Sequence, residues 1–488
     1  MRCTILACAL LAGGCAVGPD FRRPGAPPVD GYTPEPLGAE SVAAQTPGGE
    51  MQRFVREMDI PGQWWTLFRS PALNSLLEQS LKTNPTLQGA QAALRVAEEN
   101  YLAQRGALFP SADASFSATR QKSAPILSSP LNSPEPVFNL HTAQLSVAYG
   151  PDVFGGVRRQ VEAAAALAES QRFELEATYV TLSSNVVAAA IQEAALRAQI
   201  AATEEIVKLE TEQVALMQRQ FELGAIAEAT VIAQRVTLAQ TQATLAPLRK
   251  QLAQQRNLLT ALAGRFPSNE VAERFDFASI ALPADLPVSL PSRLVEQRPD
   301  VRAAEAQLHA ASAQIGVAIA NLLPQFTISA NVGSVATEIG SLFGSGSGFW
   351  MVGVNAAQPL FHGGTLLHRK RAAEAAYEQA AAQYRASVIG ALQNVADALR
   401  ALEFDAIALK AALDAKLLAE ESLAIARRQL ELGDISYLGL LTAEQAYQQT
   451  VLALVQAQAN RYADTAALFQ ALGGGWWNRP GEVRREAP

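Results

Sequence analysis

Arg427–Tyr447 reads RRQLELGDISYLGLLTAEQAY. It lies in a stretch between Pro359 and Pro480 that contains no proline and otherwise reads as helix. Within it, Gly433, Asp434, Ser436 and Gly439 stand close together. Glycine adopts the left-handed conformation cheaply and commonly sits just past a helix end. Asp434 or Ser436 is then placed to cap a returning helix. Gln218–Val236, QRQFELGAIAEATVIAQRV, repeats the pattern, with Gly224 placed 209 residues before Gly433. Each stretch reads as the tip of a helical hairpin: a long helix, a glycine turn and a return helix.

Working outward, the whole chain is written twice. NPTLQGAQAAL from Asn84 matches RPDVRAAEAQL from Arg298, and LFPSADASFS from Leu108 matches LLPQFTISAN from Leu322, both at an offset of 214. Gly156 and Gly364 are 208 apart, and Gly264 and Gly473 are 209 apart. Two copies are too few for a solenoid; they suggest two like units side by side. The reading assigns 63–264 to the first repeat, with strands at 110–121 and 138–153 and a hairpin over 157–263 whose tip is near 224. The second repeat is 298–473, with strands at 325–336 and 349–360 and a hairpin over 365–472 whose tip is near 433. Residues 265–297 form an equatorial connecting segment, and 474–488 a tail.

The four strands alternate. Ala112, Ala114, Phe116 and Ala118 oppose Ser111, Asp113, Ser115, Ser117 and Thr119. His141, Ala143, Leu145, Val147 and Tyr149 oppose Thr142, Gln144 and Ser146. Phe326, Ile328, Ala330 and Val332 oppose Thr327, Ser329 and Asn331; Trp350, Val352, Val354 and Ala356 oppose Met351, Gly353 and Asn355. Each segment fits an outer-membrane barrel wall or a soluble antiparallel sheet with one wet face. Four together, in a chain bearing a secretory signal, favour the barrel. Four strands cannot close one, since about eight are the practical minimum, so the chain must oligomerise to eight, twelve or more strands. The long helices, Val157–Glu222 and Thr365–Leu432, would each run roughly 100 Å at ~1.5 Å per residue. Their apolar positions are mostly alanine, which suits close helix seams and not a core of large side chains. Pro247 is expected to kink the first return helix.

The chain has 488 residues with 39 Lys+Arg against 46 Asp+Glu, a balance that does not suit nucleic acid. Its three cysteines, Cys3, Cys8 and Cys15, all fall in the opening MRCTILACALLAGGC. Arg2, an apolar run and small residues make a secretory signal over 1–14. The stretch resembles a lipobox, although Leu11 stands four residues before Cys15 instead of three. Cys15 would then carry the lipid and 15–62 would be a lipidated linker, with Ala16 favouring the outer membrane.

CAVGPDFRRP, WWTLFRSPALNSLLEQSLKTNPTLQGAQAAL, DVFGGVRRQVEAA, LPADLPVSLPSRLVEQRPDVRAAEAQL and LFQALGGGWW occur in this order. Together they resemble the outer-membrane efflux lipoproteins of the TolC/NodT type over essentially the whole mature chain. The resemblance implies an α+β membrane protein: a homotrimer sharing a twelve-stranded β-barrel, continued by a long α-helical barrel. It implies a periplasmic adaptor and an inner-membrane RND-type transporter as partners, outer-membrane lipid around the barrel, and no cofactor. It puts adaptor contacts at the hairpin tips, here Leu223, Gly224 and Ala225, and Leu432, Gly433 and Asp434. Acidic rings just inside the tip would map to Gly439 and Thr442, and a Tyr–Arg latch to Leu430 and Ile435, none of which has that chemistry. The carboxylates left to line a constriction are Glu228, Asp434 and Glu444, where a threefold ring would attract cations. Arg158, Arg159, His368, Arg369, Lys370 and Arg371 follow the strands; anionic lipid headgroups, salt bridges between helices or ordinary solvation would account for them.

Three other readings compete. His141, His309, His362 and His368 have no metal-site spacing, and no nucleophile or phosphate motif supports an enzyme. A periplasmic coiled-coil scaffold does not explain the alternating strands. A duct for type I protein secretion keeps the channel and changes its client.

Overall fold

The computed structural model describes residues 16–122 and 137–479. The signal segment, Cys15, the loop over 123–136 and most of the tail lie outside the described residues. The rest is α+β and rich in helix. In chain order the elements are β1 (Arg53–Arg56), α1 (Pro71–Thr83), α2 (Pro85–Gly106), β2 (Ser111–Lys122), β3 (Val137–Tyr149), α3 (Gly156–Glu222) and α4 (Glu228–Leu262). Then follow β4 (Asp285–Val288), α5 (Pro291–Gln297), α6 (Pro299–Ala320), β5 (Gln325–Ala336), β6 (Gly348–Ala357), α7 (Thr365–Leu432) and α8 (Tyr437–Ala471). The long helices α3 and α7 have 67 and 68 residues. These residues fall into two compact units.

The first unit takes the described parts of Met1–Pro24, Ala93–Gln171 and Ala304–Tyr384. Its sheet is antiparallel in the order β2-β3-β5-β6. β3 stops at Tyr149 before Gly150 and Pro151, and β6 stops at Ala357 ahead of Pro359, because proline lacks the N–H a ladder needs. The register pairs Ala114 with Leu145, Leu145 with Val332 and Val332 with Trp350. Residues paired across a ladder share a face, so the apolar sets of all four strands lie on one side and the small polar sets on the other. β2 and β6 are the outer strands.

Three of the cations that follow the strands, Arg158, Arg159 and Lys370, are held by carboxylates. Asp152 accepts from the amides of Val157 and Arg158, both at 2.9 Å, and pairs with the Arg158 side chain at 3.2 Å. Arg159 is buried and reaches Asp20 at 2.6 Å and Glu162 at 2.7 Å, while Lys370 pairs with Glu374 at 3.1 Å. The segment after Cys15 is packed down by these groups. Phe21 stacks on His309 at 4.3 Å, and a Cβ on Gly18 would lie 2.4 Å from the Gly316 Cα, so both must be glycine.

The second unit takes Gly25–Ala92, Arg172–Ala303 and the described part of Arg385–Pro488. Its core corrects the expectation of alanine seams alone. Trp64 stacks on Phe469 at 5.4 Å, Phe68 joins them edge-on, and Phe173 meets Trp476 at 5.7 Å. These rings come from distant parts of the chain and fill a gap that helix seams leave. A second omission of the sequence reading is a small parallel sheet, β1 with β4, tied by Arg53 to Asp285 at 2.7 Å. β1 lies in the segment read as linker.

The return helices end alike. Asn84 caps α2 through its Oδ1 (2.8 Å from the Thr86 amide) and donates to the Leu262 carbonyl at 2.9 Å. Arg298 similarly holds the Ala471 carbonyl at 3.0 Å. A Cβ on Gly264 would lie 2.6 Å from the Thr83 carbonyl oxygen, and one on Gly473 would lie 2.5 Å from that of Gln297. Arg256, buried on α4, binds Glu193 at 3.3 Å and Glu270 at 2.5 Å and reaches the carbonyls of Val271 and Glu273, pinning the connecting segment to the helices. α4 runs through Pro247, which is exposed and does not interrupt the helix.

Candidate functional site

Both tips are built by the same pair of hydrogen bonds. Gly224 has φ +74° and donates to the Phe221 carbonyl, while Ala225 donates to that of Gln220, each at 2.8 Å. Gly433 has φ +80° and donates to Leu430 at 3.0 Å, while Asp434 donates to Gln429 at 2.8 Å. This satisfies the last carbonyls of α3 and α7 and turns the chain. Nothing lies within 4 Å of a Cβ built on either glycine, so only the backbone conformation calls for glycine there. Leu223 and Leu432, just before the turns, are 84 % and 63 % exposed.

Capping departs from expectation. Ser436 stands at the N-cap of α8 with extended backbone, but neither its side chain nor that of Ala227 at the start of α4 makes a capping bond. Glu228 in the first turn of α4 offsets this by placing negative charge near the positive helix end.

Glu228 and Asp434 are both exposed, as are Gly439 and Thr442. Thr442 turns its hydroxyl back to the Leu438 carbonyl at 2.9 Å, and Gly439 sits against Ile435. Leu430 and Ile435 pack on the buried Leu423–Ala426–Leu440 cluster, as apolar residues should. Glu444 is different. It is buried, with Arg427 at 3.9 Å, and so is not an available surface carboxylate in this chain. Burial pushes its carboxyl up, against the pull of Arg427.

The two hairpins meet near their tips. The Tyr437 hydroxyl donates to Gln220 Oε1, and a cavity of about 620 Å³ opens between them, lined by Met217, Thr230, Gln234, Leu430, Ile435 and Leu441. Sequence reasoning missed Tyr437, because nothing in a helical pattern says which face meets another hairpin.

Among the described residues no helix is long and apolar enough to cross a membrane. The chain belongs to the outer membrane efflux protein family, whose model matches residues 76–265 and 290–474. That makes it an outer-membrane efflux component, with a transport role and not a catalytic one. It is 29% identical to the probable efflux pump outer membrane protein TtgC of Pseudomonas putida, with 98% of this chain and 96% of the relative covered. It is 28% identical to the probable outer membrane lipoprotein SilC of Salmonella typhimurium, over 96% and 97% of the two chains. Among solved structures, the outer-membrane channel OprN superposes with a TM-score of 0.83 at 27% identity, covering 95% of this chain and all (100%) of that one. The outer membrane protein VceC of Vibrio cholerae gives 0.78 at 28% identity, covering 86% and 100%.

Proposed function

We propose that three copies of this chain form the exit duct of a tripartite efflux pump. Each copy gives four strands to a twelve-stranded barrel in the outer membrane, and the helical hairpins continue the duct as an α-helical barrel. Cys15 anchors each copy by its lipid. A periplasmic adaptor grips the tips at Leu223–Gly224–Ala225 and Leu432–Gly433–Asp434, and an inner-membrane RND-type transporter loads the duct with small toxic molecules. The supporting observation is the sheet: one continuous apolar face, one small-polar face and two outer strands, β2 and β6, each with one edge that pairs with no other strand among the described residues. Lipid accepts an apolar face but not an open strand edge, so neighbouring copies must pair β2 and β6. TtgC and SilC carry names that fit this reading. Glu228 and Asp434 are the proposed constriction carboxylates, with Gly439 and Thr442 inside them supplying no charge.

Planar-bilayer recording of the purified protein tests the duct. We expect ohmic pores whose cation preference weakens in E228Q/D434N. Inserted, folded protein that passes no current would reject it.

A further inference from the structure

Below the tips, the wall of packed helices is interrupted by a polar layer. Glu210 on α3 is only 2% exposed and Glu444 on α8 only 8%. They line one small cavity, of about 10 Å³, together with Ile206, Leu209, Leu423 and Tyr447. Glu210 Oε1 accepts from Gln448 of α8 at 2.6 Å and from Thr241 of α4 at 3.0 Å. Its Oε2 has no donor, and neither has Glu444 Oε2. Beside them Gln234 of α4, 3% exposed, turns its side-chain amide toward Glu444 without closing a full hydrogen bond. The carboxylates come from different hairpins. Two ionised carboxylates cannot share a buried site without compensation, and little is available here. From α7 the facing cation is Arg427, 3.9 Å from Glu444. Lys416, also on α7, lies over the Tyr447 ring and is bound to Glu420 at 2.5 Å. α4 faces Glu444 with Gln234 and Glu210 with Thr241, both uncharged.

We propose that Glu444, packed beside Glu210, is a proton-binding site that clasps the first hairpin to the second. With a proton on Glu444, an O–H donor satisfies an orphaned oxygen and the hairpins stay packed. Without it, two buried negative charges push α3 and α8 apart. Burial raises the Glu444 carboxyl and Glu210 adds to it, against the pull of Arg427 and of the Gln234 side-chain amide. A raised acid binds its proton more tightly in the packed state. Clasping is therefore complete at low pH and weakens as pH rises through the raised value. The tips loosen on the alkaline side.

Hydrogen exchange of the intact protein in detergent tests this whether or not the protein conducts. Peptides spanning 206–237 and 423–448 are followed from pH 5 to pH 9, corrected for intrinsic rates. Protection in the wild type should fall with rising pH, by up to about tenfold per pH unit for one proton. E444Q and, separately, E210Q should hold the low-pH protection up to pH 9. Three results would overturn the clasp: wild-type protection independent of pH, an unchanged slope in both variants, or protection lost in both variants at every pH while α1 and α5 stay protected. A slope abolished by added sodium at constant pH would also overturn it, since the occupant would then be a metal cation.

Discussion

Asp405 on α7 shows how burial sets the charge of a single group. Its Oδ2 has no donor, and Asp464 of α8 stands beside it. Burial, then a hydrogen bond to Asp464 and its negative charge, raise the Asp405 carboxyl to about 7, against the pull of Arg461. An unfolded Asp titrates near ~3.9. The folded state therefore holds the proton more tightly, and its contribution is full below ~4 and lost as pH rises through about 7. We predict that the thermal midpoint of the detergent-solubilised protein falls between pH 5 and pH 8. In D405N, whose amide can still donate to Asp464, this fall should largely vanish. A second prediction concerns Gly433. Since space is open around it and φ is +80°, Gly433→Ala should cost only the left-handed backbone penalty, about 1–2 kcal/mol. Exchange protection over 430–437 should drop roughly 5–30-fold, without change elsewhere. Gly264→Ala should do more damage, because its Cβ would also meet the Thr83 carbonyl.

At the scale of elements, what was legible followed from periodicity and glycine. Period-two alternation placed β2, β3, β5 and β6 within a few residues, and Gly224 and Gly433 marked both turns. β1 and β4 escaped notice because each has four residues and β4 contains Pro287. The aromatic core was hidden because Trp64 meets Phe469, and Phe173 meets Trp476, only after folding. At the tips, glycine and the leucines before it were readable. The burial of Glu444 was not, since alanine-rich helices show no strong apolar stripe to say which side is inside. Helix order adds a prediction. Thr241–Glu210 joins α4 to α3, Gln448–Glu210 joins α3 to α8, and Arg427–Glu444 joins α8 to α7. Along these bonds α4 and α7 stand at the ends, and they approach each other near the tips, where Thr230 and Gln234 line one cavity with Leu430. On α7, Phe404, Ala411, Leu418, Ile425 and Leu432 recur every seven residues and are exposed. On α4 the exposed series is Ile232, Val236, Ala239, Ala243 and Ala246. Mostly large side chains on the α7 edge, facing an α4 edge that is alanine from Ala239 onward, suit knobs-into-holes packing between copies. L418E/I425E should leave each chain folded by circular dichroism yet abolish assembly in native mass spectrometry. A fully assembled variant would show that this edge is not the seam.

For the whole molecule, strand direction decides how copies can join. The order β2-β3-β5-β6 is antiparallel throughout, so β2 and β6 run in opposite directions. Joining β6 of one copy to β2 of the next therefore continues the antiparallel pattern without a break. Such a contact uses two different surfaces, and heterologous contacts of this kind close into rings. Two copies would supply the eight strands that make the smallest barrels, but their interior is filled by side chains. Three copies give twelve strands and room for a lumen, which a duct needs. We therefore predict that cysteine pairs placed one on β2 and one on β6, such as A114C with V352C and neighbouring registers, cross-link between copies under oxidation. Non-reducing electrophoresis should show a ladder ending at three chains, with the closed trimer migrating apart from the linear form. Single-cysteine controls at either position should stay monomeric. A ladder ending at two chains would exclude the twelve-stranded barrel. Failure to cross-link at every register, in protein that is trimeric by native mass spectrometry, would place the subunit contact away from the sheet edges.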